Sequence, residues 1–383
     1  MNILVLGGDG YLGWPTAMFL SNSGHKVGVL DNYLRRDLAK KLSFPNLIEN
    51  HSLEERVGLW NNLTEQNIDC FIGDICDYDF LSGVIKDFEP EVVVHYAEQP
   101  SAPYSMIDQQ SALLTLQNNL SGTLNMIWAI KEFSPECHII KLGTMGEYGV
   151  PDIDIEEGWI DIEHKGRKDK FLFPRQAGSL YHTTKIQDTD LLWFYVRMWD
   201  LKVTDLMQGP VYGCFTDEIR IDERLGTHFS YDEVFGTVLN RFIIQAVCGY
   251  PLTVYGKGNQ IRGYLNLIDT INCIKLAAEN PADKGELRIF NQFTETFSVN
   301  QLADMVIDAS SKINLDVKKE SIVNPRKEKE EHYYNPVHTG LKSIGLKPNK
   351  LTNEVLIEML EFCLKYKENI IQENIFRGIK WEK

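Results

Sequence analysis

Tyr181 and Lys185 stand one helical turn apart, and Thr144 closes an apolar run earlier in the chain. Positions i and i+4 share a face of a helix, so a phenol and an ammonium at this spacing meet. The pair suits removal of a proton from an alcohol while the alcohol carbon is oxidised. A phenol with an ordinary pKa of about 10 does not ionise unaided. A neighbouring cation brings it toward neutrality, and Thr144 adds a hydroxyl to share the substrate's hydrogen bond. Such an oxidation needs an acceptor for two electrons, so the chain should hold a dinucleotide.

The segment ending at Asp31 reads as its site. Residues 3–6 are an apolar strand, followed by Gly7, Gly10 and Gly13 with Tyr11 and Leu12 between the last two. In this pattern the first glycine permits a tight turn, the second lets backbone approach a pyrophosphate, and the third lets the helix pack on its strand. The helix N-terminus then favours phosphate. A second strand delivers Asp31 and Asn32, where a carboxylate accepts from a ribose diol and repels a 2′-phosphate, so NAD is expected rather than NADP. Arg35 and Arg36 are the argument for NADP; beside Asp31 they are expected to flank the adenine or the diphosphate instead.

Strands and helices then alternate. Residues 69–73 lead to Asp74 and Ile75 on the adenine side, and residues 92–95 lead to Tyr96, Gln99, Pro100 and Ser101. A helix over 111–133 carries Asn119, unfavourable in mid-helix unless a contact requires it. Residues 138–142 open onto Thr144, Met145, Gly146 and Glu147, and 150–174 alternate as a hairpin over the sheet edge. A helix over 180–199 is followed by a strand ending near Gln208. The expected fold is α/β: a Rossmann-type doubly wound parallel sheet over 1–207, with right-handed crossovers. A smaller C-terminal α/β substrate domain over 208–383 follows across a porous boundary, including a helix over 234–247 and strands at 252–255 and 263–268.

The net charge of −15 argues against nucleic acid as a partner, because that affinity comes from clustered Lys and Arg. No apolar run reaches the ~18–20 residues of a membrane span, and a strand starts at the second residue, so a cytoplasmic chain without membrane insertion is expected. The 7 cysteines form no Cys-x-x-Cys pair; reduced thiols and no metal are expected.

The joint pattern resembles the extended short-chain dehydrogenase/reductases, the family of NAD-dependent nucleotide-sugar epimerases and dehydratases. Within it, GGDGYLGW, GDICDYDFL, SAPYSMID, KLGTMGEYG, IDIEEGW, GNQIRGYL, FNQFTETFSVN and EEHYYN resemble members that turn UDP-glucose and sulfite into a sulfonated UDP-sugar. The resemblance implies a cycle through a 4-keto sugar and a 5,6-ene. Tyr181 would take the carbon-4 hydroxyl proton, and Lys185 would hold the nicotinamide ribose. Dehydratases carry Thr-Asp-Glu where this chain has Thr144, Met145 and Gly146, so the acid–base work would pass to Glu147 with His182. Plant members carry Arg where this chain has Pro100.

Gln99, Ser101, Thr144, Gln208, Thr237, Arg241, Tyr255, Arg262, Arg326 and His332 stand at positions that resemble substrate contacts of the family. Arg262 and Arg326 suit a diphosphate, which an arginine fork recognises. A homodimer through the helices over 111–133 and 180–199 is implied as well. The competing readings are an NAD-dependent 4-epimerase or 4,6-dehydratase, and a non-catalytic dinucleotide sensor. The intact Thr144, Tyr181 and Lys185 oppose the sensor.

Overall fold

The computed structural model describes residues 1–49, 51–324 and 333–376. Its centre is a parallel sheet begun by β1 (Asn2–Leu6), β2 (Lys26–Asp31), β3 (Ile68–Ile72), β4 (Val92–His95) and β5 (His138–Thr144). The hairpin β6 (Trp159–His164) and β7 (Arg167–Leu172) stands outside it, as the alternation over 150–174 predicts. β8 (Lys202–Gln208) rejoins the sheet, β9 (Val211–Tyr212), β10 (Leu252–Tyr255) and β11 (Ile261–Asn266) lie in small outer sheets, and β12 (Glu286–Gln292) returns to the centre.

The order β12-β8-β5-β4-β1-β2-β3 reverses direction between β1 and β4, the switch point where such sheets bind ligands. Because β12 pairs with β8 along its length, the expected boundary at 207 is not a clean cut. The substrate-side segment lends one strand to the nucleotide sheet.

Both sheet faces are covered by apolar layers. Ile3, Val5, Trp14 and Trp60 lie in one, and Leu4, Leu6, Val93 and Ile139 in the other, all fully buried. Full burial of a Val, Leu or Ile side chain stabilises by about 1.5–3 kcal/mol, which is why unbroken Val/Ile/Leu runs become central strands. A third layer around Phe242, Leu302 and Leu360 forms the smaller lobe.

The helices that carry the site start on side-chain caps. Asp108 accepts from Ser111 N to open the helix over Gln109–Phe133, and Ser179 accepts from His182 N to open the next long helix. In chain order these elements are α1 (Gly13–Asn22), α2 (Leu34–Lys41), α3 (Leu53–Thr64), α4 (Tyr78–Phe88), α5 (Gln109–Phe133), α6 (Leu180–Trp199) and α7 (Val238–Cys248). The last begins later than the expected 234. Asp232 takes the N–H groups of Val234 and Phe235 in a turn, and Thr237 supplies the cap.

Candidate active site

Gly7 has φ 87°, and a Cβ there would lie 2.8 Å from Ala97 N. A Cβ on Gly13 would fall 2.0 Å from Gly7 O, whereas one on Gly10 would meet nothing closer than 3.5 Å. The turn therefore packs through its first and third glycines and leaves room at its second, as a diphosphate cradle requires. Tyr11 donates to Gly213 O (2.8 Å), and Thr227 Oγ1 donates to Tyr11 O (2.9 Å), so the smaller lobe clamps the loop. Leu12 precedes α1 without a side-chain cap, and Asn32 closes its own turn on Leu34 N.

Asp31 accepts from Asp9 N (2.9 Å) and Tyr33 N (2.7 Å). Burial and then the Asp9 charge push its carboxyl up to about 6. A folded-state pKa above the unfolded value means the proton is held more tightly in the fold, and the charge appears only as pH rises through about 6. Ribose hydroxyls bond a carboxylate about 1 kcal/mol better than a carboxyl. NAD affinity should therefore rise roughly fivefold to tenfold from pH 5 to pH 7 and become flat in Asp31→Asn. A titration equally steep in the variant would dismiss this origin.

Asp9 was not singled out by the glycine pattern, yet it anchors the turn. Burial opposes its charge, but bonds from His228 (3.3 Å) and Arg36 (2.6 and 2.5 Å) with the charge of fully buried Arg56 hold its carboxyl well below the usual range. Arg36 also donates to His51 O, and Arg35 lies over the Phe235 ring and donates to Ser230 Oγ. Both arginines thus have protein partners in the structure. Long-range pairing decides this, and the only local signal was an acid inside a glycine turn.

On the adenine side, Asp74 closes a turn on Cys76 N, and Ile75 is buried. A Cβ on Gly122 would sit 2.2 Å from Ile75 Cδ1, which explains a glycine inside α5. Tyr96 bonds Thr16 Oγ1 (3.3 Å). Asn119 links two segments: its Oδ1 accepts from Gln99 N, and its Nδ2 donates to Thr184 Oγ1 (3.0 Å). Gln99 is spent on Thr115 and Ser101, while Ser101 Oγ is spent on Val234 O and Tyr104 N. These side chains shape the loop after β4 through internal bonds.

Tyr181 and Lys185 lie on α6 beside that loop, and Tyr181 N donates to Ser105 Oγ (3.1 Å). Lys185 Nζ is hydrogen-bonded to Glu98, both side chains being buried. Burial alone would lower the Lys185 value, but Glu98 and then Asp188 raise it. Burial first, then Glu98 and Glu147, push the Tyr181 phenol well above 10, so the Lys185 ammonium alone does not bring it toward neutrality.

Thr144 and Glu147 form a reciprocal cap. Thr144 Oγ1 accepts from Gly146 N (3.2 Å), and Glu147 Oε1 accepts from Thr144 N (3.2 Å). The Thr-x-x-Glu spacing is the sequence signal for it. Glu147 is fully buried, with Lys141 Nζ 3.3 Å from Oε1 and Arg175 3.4 Å from Oε2. Met145 is buried beside it. His182 Nδ1 lies 3.1 Å from Ser179 Oγ, and a Cβ on Gly146 would come within 2.3 Å of His182 Nε2.

Gln208 pairs with Gln292 at the strand ends (3.1 Å), and Thr237 serves as the α7 cap. Arg241 donates to Thr253 O (3.2 Å) and lies 4.3 Å over the Tyr255 ring, while Arg262 donates to Ile261 O. Arg326 and His332 lie outside the described residues. Among the described residues all cysteines are free and no cluster suits a metal, and no helix is long and apolar enough to cross a membrane.

Solved structures share this architecture. UDP-glucose 4-epimerase from Thermotoga maritima, with UDP-glucose, superposes at TM-score 0.70 with 22% identity over 95% of this chain and 99% of that one. The Bifidobacterium longum UDP-glucose 4-epimerase, in complex with NAD+ and UDP, gives 0.71 with 18% identity over 97% and 100%. At such identity they speak for the fold. Two named relatives are nearer. UDP-sulfoquinovose synthase, chloroplastic, of Spinacia oleracea is 50% identical over 381 residues, covering 100% of this chain and 79% of that protein. UDP-sulfoquinovose synthase of Sulfolobus acidocaldarius is 44% identical over 386 residues, covering 100% and 98%. The model of the NAD dependent epimerase/dehydratase family matches residues 3–291. A glycine turn with room for a diphosphate, read with that match, leads to one conclusion: the chain belongs to the NAD dependent epimerase/dehydratase family, and NAD is its cofactor.

Proposed function

We propose that the chain is a UDP-sulfoquinovose synthase, joining sulfite to carbon 6 of UDP-glucose with loss of water. What carries the reading is half-identity to a synthase across the whole chain, coupled to a turn in which His182 occupies the space a side chain at 146 would need. A dehydratase acid at that place is sterically excluded with His182 in this rotamer, and Glu147 is the carboxylate the turn retains.

Gly7, Gly10, Gly13 and Asp31 would hold the dinucleotide, with Lys185 on the nicotinamide ribose. When bound, NAD accepts two electrons and a hydrogen from carbon 4 and later gives them back. Tyr181 takes the carbon-4 hydroxyl proton, and Thr144 shares that bond. The resulting ketone acidifies carbon 5, whose proton goes to Glu147 Oε2, the oxygen without a hydrogen bond. His182 protonates the carbon-6 hydroxyl as it leaves as water. The sulfite lone pair then forms the carbon–sulfur bond, carbon 5 regains a proton, and Tyr181 returns its proton to the carbon-4 oxygen. No net electrons are gained or lost.

The UDP group falls to the smaller lobe, where Arg262, Arg241, Tyr255, Thr237 and Gln208 are the described candidates; Arg326 and His332 are candidates from the family resemblance alone. A homodimer is proposed through α5 and α6, whose Leu113, Leu116, Trp128, Phe194 and Met198 are exposed apolar side chains. Incubation with UDP-glucose and isotopically labelled sulfite, read by mass, should give a sulfonated UDP-hexose. A 4-epimer or a 4-keto-6-deoxy product, whether or not sulfite is present, would replace the proposal. Glu147→Gln should keep NAD bound and slow solvent-deuterium entry at carbon 5 by about 10²-fold. Undiminished exchange would take Glu147 out of the reaction.

A further inference from the structure

Arg175 lies between the end of β7 and the start of α6, and its side chain is only 5% exposed. Its Nε, NH1 and NH2 are all buried without a hydrogen-bond acceptor. Glu147 Oε2 lies 3.4 Å from it. A guanidinium carries five donors in a rigid fork, and a donor buried without an acceptor is costly to keep. Other buried cations of the site are engaged. Lys141 has four acceptors, Lys185 has Glu98, and Arg241 has Thr253 O with Glu233 nearby. Arg175 stands out among the described buried cations because all three of its nitrogens lack an acceptor.

Its place is held firmly. Gln176 N donates to Glu147 O (3.1 Å), and a Cβ on Gly149 would lie 2.2 Å from Gln176 O, so this segment is pressed onto the turn that carries Thr144 and Glu147. The same turn has His182 over Gly146.

We propose that Arg175 is the oxyanion-binding residue of the site, one edge of its fork facing Glu147 and the other taking a small three-oxygen sulfur anion. Resting on the synthase reading, that ligand is sulfite as it approaches carbon 6, and then the sulfonate it becomes. Bonding two sulfite oxygens leaves the sulfur lone pair directed at carbon, where it forms the carbon–sulfur bond as the π pair of the 5,6-ene moves toward carbon 5, which takes a proton. The arginine also balances Glu147, so an anion can enter beside a carboxylate.

The test uses the NAD-loaded enzyme with two substitutions, Arg175→Gln and Arg175→Lys. Two rates are compared: deuterium entry at carbon 5 from UDP-glucose alone, and product formation against sulfite concentration. Arg175→Gln should raise the KM for sulfite so that the loss in kcat/KM exceeds the loss in deuterium entry by tenfold or more. Arg175→Lys, which keeps the charge and loses the fork, should fall between and serves where the glutamine variant does not fold. An unchanged KM for sulfite, or equal losses in both rates, overturns the assignment and makes Arg175 a support for Glu147. Failure of the unsubstituted enzyme to use sulfite at all would instead overturn the synthase reading, so the two failures are distinguishable.

Discussion

Tyr181→Phe should lower turnover by about 10²–10⁴-fold while NAD remains bound, because the change deletes a proton acceptor and nothing else. The backbone bond of residue 181 to Ser105 is made by its N–H, and the ring keeps its packing against His182 at 5.3 Å. The size of the effect follows from the electrostatics. Burial, then Glu98 and Glu147, hold the phenol in its protonated form, with the Lys141 charge opposing them. A base this suppressed is useful only when further positive charge arrives, which a nicotinamide cation supplies. The unsubstituted enzyme should therefore gain activity as pH rises, and residual activity in Tyr181→Phe should lack that rise. Turnover within tenfold of the original would mean that another group takes the proton.

Lys141→Met should destabilise the chain by about 3–5 kcal/mol, since it takes the cation from buried Asp205 and leaves buried Glu147 with Arg175 alone. Lys141 Nζ reaches Asp205 Oδ2 (3.2 Å), Glu147 Oε1 (3.3 Å), Thr189 Oγ1 (2.7 Å) and Lys185 O (3.1 Å), and all three charged side chains are fully buried. A loss of that size should lower Tm by roughly 5–10 °C in a chain this long. Pairing the change with Asp205→Asn should recover part of it, as neighbours sharing a network do not add. A Tm within a degree of the original would show that the carboxylates find other partners.

Much of the nucleotide half was legible. Gly7, Gly10 and Gly13 declare a turn by their spacing, the first and third having no room for a Cβ and the second leaving space, and runs such as residues 92–94 declare central strands because both faces are apolar. Tyr181, Lys185 and Thr144 were legible by spacing on one helix and at one strand end. The hairpin was legible by alternation. The partners of Arg35 and Arg36 were not legible, because a charge in sequence names no partner. Nor were the internal bonds of Gln99, Ser101 and Asn119, which packing makes between distant segments.

What the sequence determined by itself is therefore periodic or local: strands from apolar runs, helix starts from Asp108 and Ser179, the glycine turn, and the phenol–ammonium pair. Tertiary structure alone decided which charges meet. Lys185 finds Glu98 across 87 residues, Asp9 finds His228 across 219, and Lys141 finds Asp205 across 64. Such pairs depend on strand order and crossover, and in a low-dielectric interior they set where protons reside. The same applies to β12, whose membership of the sheet rests on pairing with β8 rather than on any property of its own residues.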